Sequence, residues 1–285
     1  MITGFGNGKL ILCGEHAVVY GHPALAMAVD RGTSVTLTPT RGPTRILSDI
    51  RDPRLERAIL TRVPAQGFEV RIDTNLPIGR GMGSSAALSV ALIRAVRALD
   101  GQTPSVDELY EQAFEIERVF HGNPSGLDHA VSARGGLLRY RRGPPPSFEP
   151  LSSPAGRWVV LDSGEEGNTA ELVAGVASRR PRIDPILERI GALVHEAATV
   201  LDDPAKLGPL LNENHALLRE IGVSNSRLDA LIAFAREHGA LGAKLAGAGG
   251  GGVVLALVAD PHPLLQSASA AKIPAFEVAI SPLRS

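Results

Sequence analysis

An α+β chain made of two halves is what this sequence predicts, on three observations. Segments with helical apolar spacing are long: Leu109, Ala113, Ile116 and Phe120 recur through 106–121, and 84–99 is an alanine- and leucine-rich run ended by Asp100-Gly101. Short runs of branched residues between turn formers read as strands at 8–13, 33–38 and 68–73, without strict alternation with helices. Proline-rich stretches at 144–146 and 150–154 read as a linker, giving an N-terminal half 1–155 and a C-terminal half 156–285. In the second half, strands are expected at 158–161, 242–245, 253–258 and 276–280. Helices are expected at 169–178, 183–201, 207–221, 227–238 and 263–271, and another over 126–133 in the first half.

The 285 residues are 44% hydrophobic, enough for one large core or two ordinary ones. With 29 basic and 30 acidic residues, no global charge draws the chain to nucleic acid or a membrane surface. Any anion site must be local. Cys13 is the sole cysteine, which rules out an internal disulfide and fits a reducing, cytoplasmic setting. The apolar run 10–12 is cut short by Gly14-Glu15-His16, so no leader is read there, and no apolar run reaches the roughly 20 residues of a membrane span.

Chemistry concentrates in four segments. In Pro77-Ile-Gly-Arg-Gly-Met-Gly-Ser-Ser-Ala-Ala87, Gly79, Gly81 and Gly83 leave backbone N–H groups uncovered, and Ser84, Ser85 and Ala86 open a helix. A helix N-terminus with free N–H donors is a ready phosphate site, and serine hydroxyls suit phosphate or Mg²⁺. The plainer reading is a flexible turn with Ser84 as a cap. No Gly-Lys-Ser/Thr follows, so this is not a Walker loop. A second tract, Gly247-Ala248-Gly-Gly-Gly-Gly252, spells G-x-G-x-x-G but runs into a strand instead of opening a helix, which rejects dinucleotide binding. It suits close packing on the first loop or on a substrate, or else a tight hairpin. Lys9 and Glu15 flank a strand and turn. Glu117, late on a helix, and Asp128, after a Pro-Ser-Gly turn, form a carboxylate pair of the kind phosphoryl transfer uses; the plainer reading is a surface glutamate and a capping aspartate. His121 and His129 lack zinc spacing.

Together and in this order, the segments resemble the GHMP kinases: Gly8-Lys9 with Gly14-Glu15-His16, then Pro77–Ala87, then Lys244-Leu-Ala-Gly-Ala-Gly-Gly-Gly-Gly252. Leu12–Gly21, His121-Gly-Asn-Pro-Ser-Gly-Leu-Asp-His-Ala-Val-Ser132, Asn168-Thr169 and Asn212-x-x-His215 are similar to the mevalonate-phosphorylating branch. The resemblance spans nearly the whole chain. It implies an N-terminal α/β domain with a left-handed crossover, a ferredoxin-like C-terminal domain, ATP between them, Mg²⁺, mevalonate as acceptor, and room for a homodimer. By the same resemblance, Asp128 is the base or the orienting carboxylate, and Lys9 lies near the reacting hydroxyl. Ser85 and Glu117 hold the metal, and Gly79 to Ala86 wrap the ATP phosphates. Glu15, His16, Thr169, Gly247 and Ala248 face the acceptor. Leu88 stands where many members carry an aromatic, at a position expected to touch substrate or nucleotide. The alternatives are a kinase of phosphomevalonate, a sugar or homoserine, and a sensor that binds without turnover.

Overall fold

The computed structural model describes residues 1–50, 52–121 and 125–284. The first sheet holds β1 (Ile2–Cys13), β2 (Pro23–Pro43), β3 (Arg45–Ser48), β4 (Gln66–Thr74), β5 (Leu137–Arg141) and β6 (Ser147–Leu151). Its order is β3-β4-β2-β5-β6, with β1 on β2, and only β3–β4 is parallel among the described pairs. Strand β2 serves three partners along its 21 residues. On this sheet lie α2 (Ser84–Leu99), α3 (Val106–His121) and α4 (Leu127–Arg134), with the short α1 (Leu55–Leu60) between β3 and β4. Helix α2 approaches β1 backbone to backbone: a Cβ on Gly6 would sit 2.0 Å from Ala87 O, and one on Gly4 2.1 Å from Ala91 O. Only glycine permits that approach, and it places the start of α2 beside Lys9.

The second sheet holds β7 (Arg157–Asp162), β8 (Ala240–Ala246), β9 (Val253–Val258) and β10 (Ala275–Val278), antiparallel in the order β10-β7-β9-β8. Helices α5 (Thr169–Ser178), α6 (Asp184–Ala198), α7 (Pro204–Glu220) and α8 (Ser226–Glu237) lie between β7 and β8, and α9 (His262–Ala270) between β9 and β10. This is the ferredoxin-like split βαβ arrangement. The largest core is shared between the sheets, packing Leu10, Leu12, Leu25 and Met27 with Trp158, Val160, Leu193 and Leu255. The chain end returns to the first sheet, where Ser281 N donates to Ala28 O at 2.9 Å. No helix among the described residues is long and apolar enough to cross a membrane.

Helices α2 and α3 match their expected bounds, and the strand expected at 253–258 is β9. The proline run 144–146 is not a linker: it turns the hairpin of β5 and β6, two strands the sequence hid. Pro150 is tolerated because β6 is an edge strand. Strand β3 and helix α1, of four and six residues, were too short to show a period. Leu88 is 3% exposed and packs in the core with Val90 and Ile93. Helix position, not side-chain type, decides that.

Candidate active site

The glycine-rich loop delivers α2 with its N-terminus open. Gly79, Gly81 and Gly83 have φ of 71°, 79° and 72°, the left-handed region. Gly83 caps the helix and no side chain caps it, so Ser84 is not a cap. The first helical bond at this end runs from Ala87 N to Gly83 O, 2.9 Å. The N–H groups of Ser84, Ser85 and Ala86 therefore have no place in the helix ladder. The Ala86 side chain is itself buried, leaving only its backbone for a ligand.

Lys9 lies against this loop. Its N–H donates to Met82 O at 2.9 Å, its Nζ donates to Gly81 O at 3.0 Å, and a Cβ on Gly83 would come within 2.9 Å of its Cγ. The same Nζ is 3.3 Å from Asp128 Oδ1; the lysine side chain is 4% exposed and the aspartate 36%. A covered cation thus faces a carboxylate that solvent, and an acceptor, can reach. Asp128 lies in the first turn of α4, where the helix dipole favours its charge. The segment joining it to α3 includes Gly122-Asn123-Pro124, which lie outside the described residues.

Ser85 and Glu117 meet as expected. Ser85 Oγ donates to Glu117 Oε2 at 3.1 Å, and Ser89 Oγ donates to Glu117 Oε1 at 3.1 Å. Burial, then the charge of Asp128, pushes the Glu117 carboxyl up to about 8. Without a cation beside it this carboxyl keeps its proton; a bound cation would favour its charged form, and two oxygen donors suit Mg²⁺, which takes its remaining ligands from phosphate and water. Among the described residues, no group of three or more His, Cys, Asp and Glu could hold a metal by itself, consistent with that donor set. His121 joins the pair, its Nε2 3.1 Å from Ser85 Oγ and 3.7 Å from Glu117 Oε2, with burial lowering its pKa.

Glu15 is corrected. It is 1% exposed, ion-paired with Lys244, and accepts from Asn214 Nδ2 at 3.0 Å. Both carboxylate oxygens are engaged inside the protein. Lys244 Nζ also donates to Ile11 O at 3.1 Å and Leu245 O at 2.6 Å, and Cys13 Sγ donates to Asn214 Oδ1 at 3.2 Å. The next residue, His16, has φ 59°, rare outside glycine. Its Nε2 is 2.9 Å from Ala248 O, so the ring N–H donates to the second glycine tract. A Cβ on Gly247 would lie 3.3 Å from Gly81 Cα, so the two tracts pack main chain to main chain. Thr169 is exposed on the first turn of α5, hydrogen-bonded to neither Glu15 nor His16 among the described residues. The site therefore gathers Lys9, Asp128, the loop, Ser85 and Glu117 in one group and His16, Gly247 and Ala248 in an adjoining one.

Sequence reasoning missed Ser89 and Asn214. Ser89 had a signal: it is a serine one helical turn after Ser85 in an apolar helix. Asn214 had none, because its partner Glu15 is distant in sequence.

An open helix N-terminus beside a lysine–aspartate pair is an arrangement suited to phosphoryl transfer. Family models agree: GHMP kinases N terminal domain matches residues 51–136, and GHMP kinases C terminal matches 190–272. The chain belongs to the GHMP kinase family of ATP-dependent kinases and, within it, to the mevalonate kinases. Mevalonate kinase of Pyrococcus horikoshii is 38% identical over 93% of this chain and 90% of its own. That of Methanothermobacter thermautotrophicus is 34% identical over 87% of each. Among solved structures, L. major mevalonate kinase in complex with R-mevalonate superposes with TM-score 0.87 at 29% identity, covering 99% of this chain and 96% of that one. The Methanococcus jannaschii mevalonate kinase gives TM-score 0.86 at 25% identity, covering 98% of both.

Proposed function

We propose that this chain transfers the γ-phosphoryl group of ATP to the 5-hydroxyl of (R)-mevalonate, giving 5-phosphomevalonate and ADP. The observation that carries the reading is the Lys9–Asp128 pair, 3.3 Å apart beside the open N-terminus of α2. Phosphoryl transfer asks mainly for positioning and charge neutralisation. The N–H groups of residues 84–86 and the loop hold the phosphates. Asp128 accepts or orients the hydroxyl proton. Lys9 holds Asp128 in place and stabilises the transferring group. Ser85 and Glu117 would hold Mg²⁺, which supplies neutralisation of phosphate charge. His16, Gly247, Ala248 and Thr169 border the acceptor, and Glu15 acts through the turn that carries His16. A homodimer is part of the same reading, and sedimentation tests it.

The deciding experiment is an ATP-coupled panel of mevalonate, phosphomevalonate, homoserine, galactose and no acceptor. ADP release with mevalonate alone is expected. Turnover with another acceptor, or none with any, overturns the reading.

A further inference from the structure

The phosphate loop carries one charged side chain that the mechanism above does not use. Arg80 Nε lies 3.3 Å from Asp162 Oδ1, and the two side chains are only 18% and 17% exposed. Asp162 ends β7 and pairs in register with Val253, the residue after the second glycine tract. The same Oδ1 accepts from Gly164 N at 2.9 Å, which fixes the carboxylate on the second sheet. Arg80 therefore spans the seam between a loop of the first half and a strand of the second.

The main chain crosses there too. A Cβ on Gly252 would sit 2.7 Å from Arg80 O, and one on Gly81 would sit 3.0 Å from Ala246 O. Glycine-to-glycine contacts allow close approach but supply little cohesion, since no side chain interlocks. A flexible loop must also lose conformational freedom when it closes on a ligand, and ordering it beforehand raises affinity. The largely covered ion pair adds a side-chain contact across this seam that orders the loop, beside the Lys9 bonds to Gly81 O and Met82 O.

We infer that Arg80 and Asp162 form a positioning latch that sets the phosphate loop against the second glycine tract and so tunes ATP affinity. This rests on the loop being the ATP phosphate site. An ion pair of this exposure contributes on the order of 1 kcal/mol, which corresponds to a several-fold change in affinity.

The test compares Asp162→Asn, Arg80→Met and the double variant, with Gly83→Ala as a loop control and circular dichroism as a check on folding. For each, KM for ATP, KM for mevalonate, kcat and Tm are measured. Each single variant is expected to raise KM for ATP about fivefold, leaving kcat within about twofold and the acceptor KM unchanged, on that same ~1 kcal/mol basis. The double variant should be no worse than either single one, because one interaction is lost once. An unchanged KM for ATP, additive effects, or both KM values moving with Tm overturn the latch. If Gly83→Ala raises KM for ATP while Asp162→Asn does not, the latch alone fails. If neither does, the loop reading fails with it.

Discussion

Glu15 and Lys244 form a fully buried ion pair that joins the turn after β1 to strand β8, residues 229 apart in sequence. Asn214 from α7 completes it. Burying two charges is costly, and removing one partner leaves the other uncompensated. Lys244→Met should therefore cost about 3–5 kcal/mol of stability, and the Glu15→Leu/Lys244→Met pair much less. Urea denaturation of the single and double variants measures the difference; equal losses would remove the pair from this role.

Asp128→Asn should lower kcat by about 10²–10⁴, the usual worth of a positioned proton acceptor, with ATP binding preserved within a few-fold. Steady-state kinetics and nucleotide titration check it. A near-normal kcat would leave proton transfer to another group.

Ser85→Ala and Glu117→Gln each should raise the Mg²⁺ concentration for half-maximal activity by about tenfold or more, the scale of losing a metal-site contact. Ser89→Ala, which removes a hydrogen bond to Glu117 Oε1, should act in the same direction but less. Mg²⁺ titration at saturating ATP and acceptor provides the readout.

His129 and His215 should each make stability fall in mild acid, against the opposite contribution of Glu117, whose raised pKa lets the folded chain take up a proton as pH falls below about 8. Burial pushes His129 and His215 down to about 4 from an ordinary 6.5. His129 lies against the rings of Tyr110 and Phe114, and Asp128 is the charge beside it. His215 faces Asp229, with Lys244 and Arg219 also acting on it. Between pH 6.5 and 4 the unfolded chain binds protons that the folded one refuses. The stabilisation is therefore full above about pH 6.5 and is lost as pH falls towards 4, at most about 3 kcal/mol per group. Urea midpoints from pH 7.5 to 4.5 read the histidine contribution as a difference: His129→Phe should lose less stability than the parent over that range, and equal losses would remove His129 from this role.

Cys13 should be inert in the folded protein. It is 1% exposed, and burial raises its thiol pKa far above the ordinary range. A colourimetric thiol reagent should react slowly with native protein and quickly with one thiol per chain in denaturant.

The phosphate loop, helices α2 and α3, and the carboxylates Glu117 and Asp128 were legible in sequence. Each is a local pattern: spaced glycines, a helical period, a turn before an acid. The β5–β6 hairpin was not, because prolines in an edge strand look like a break in structure. The role of Glu15 was not, because its partners come from β8 and α7.

By itself, then, the sequence determined the kinase class and the shape of the loop proposed to hold phosphate, since glycine spacing and a helix start act on the nearest few residues. Only the tertiary structure decided which side chains turn inward: Glu15 onto Lys244 and Arg80 onto Asp162 as ion pairs, and Leu88 into the core. Electrostatic pairing and burial depend on distance in space, and that distance is set by how the two sheets pack.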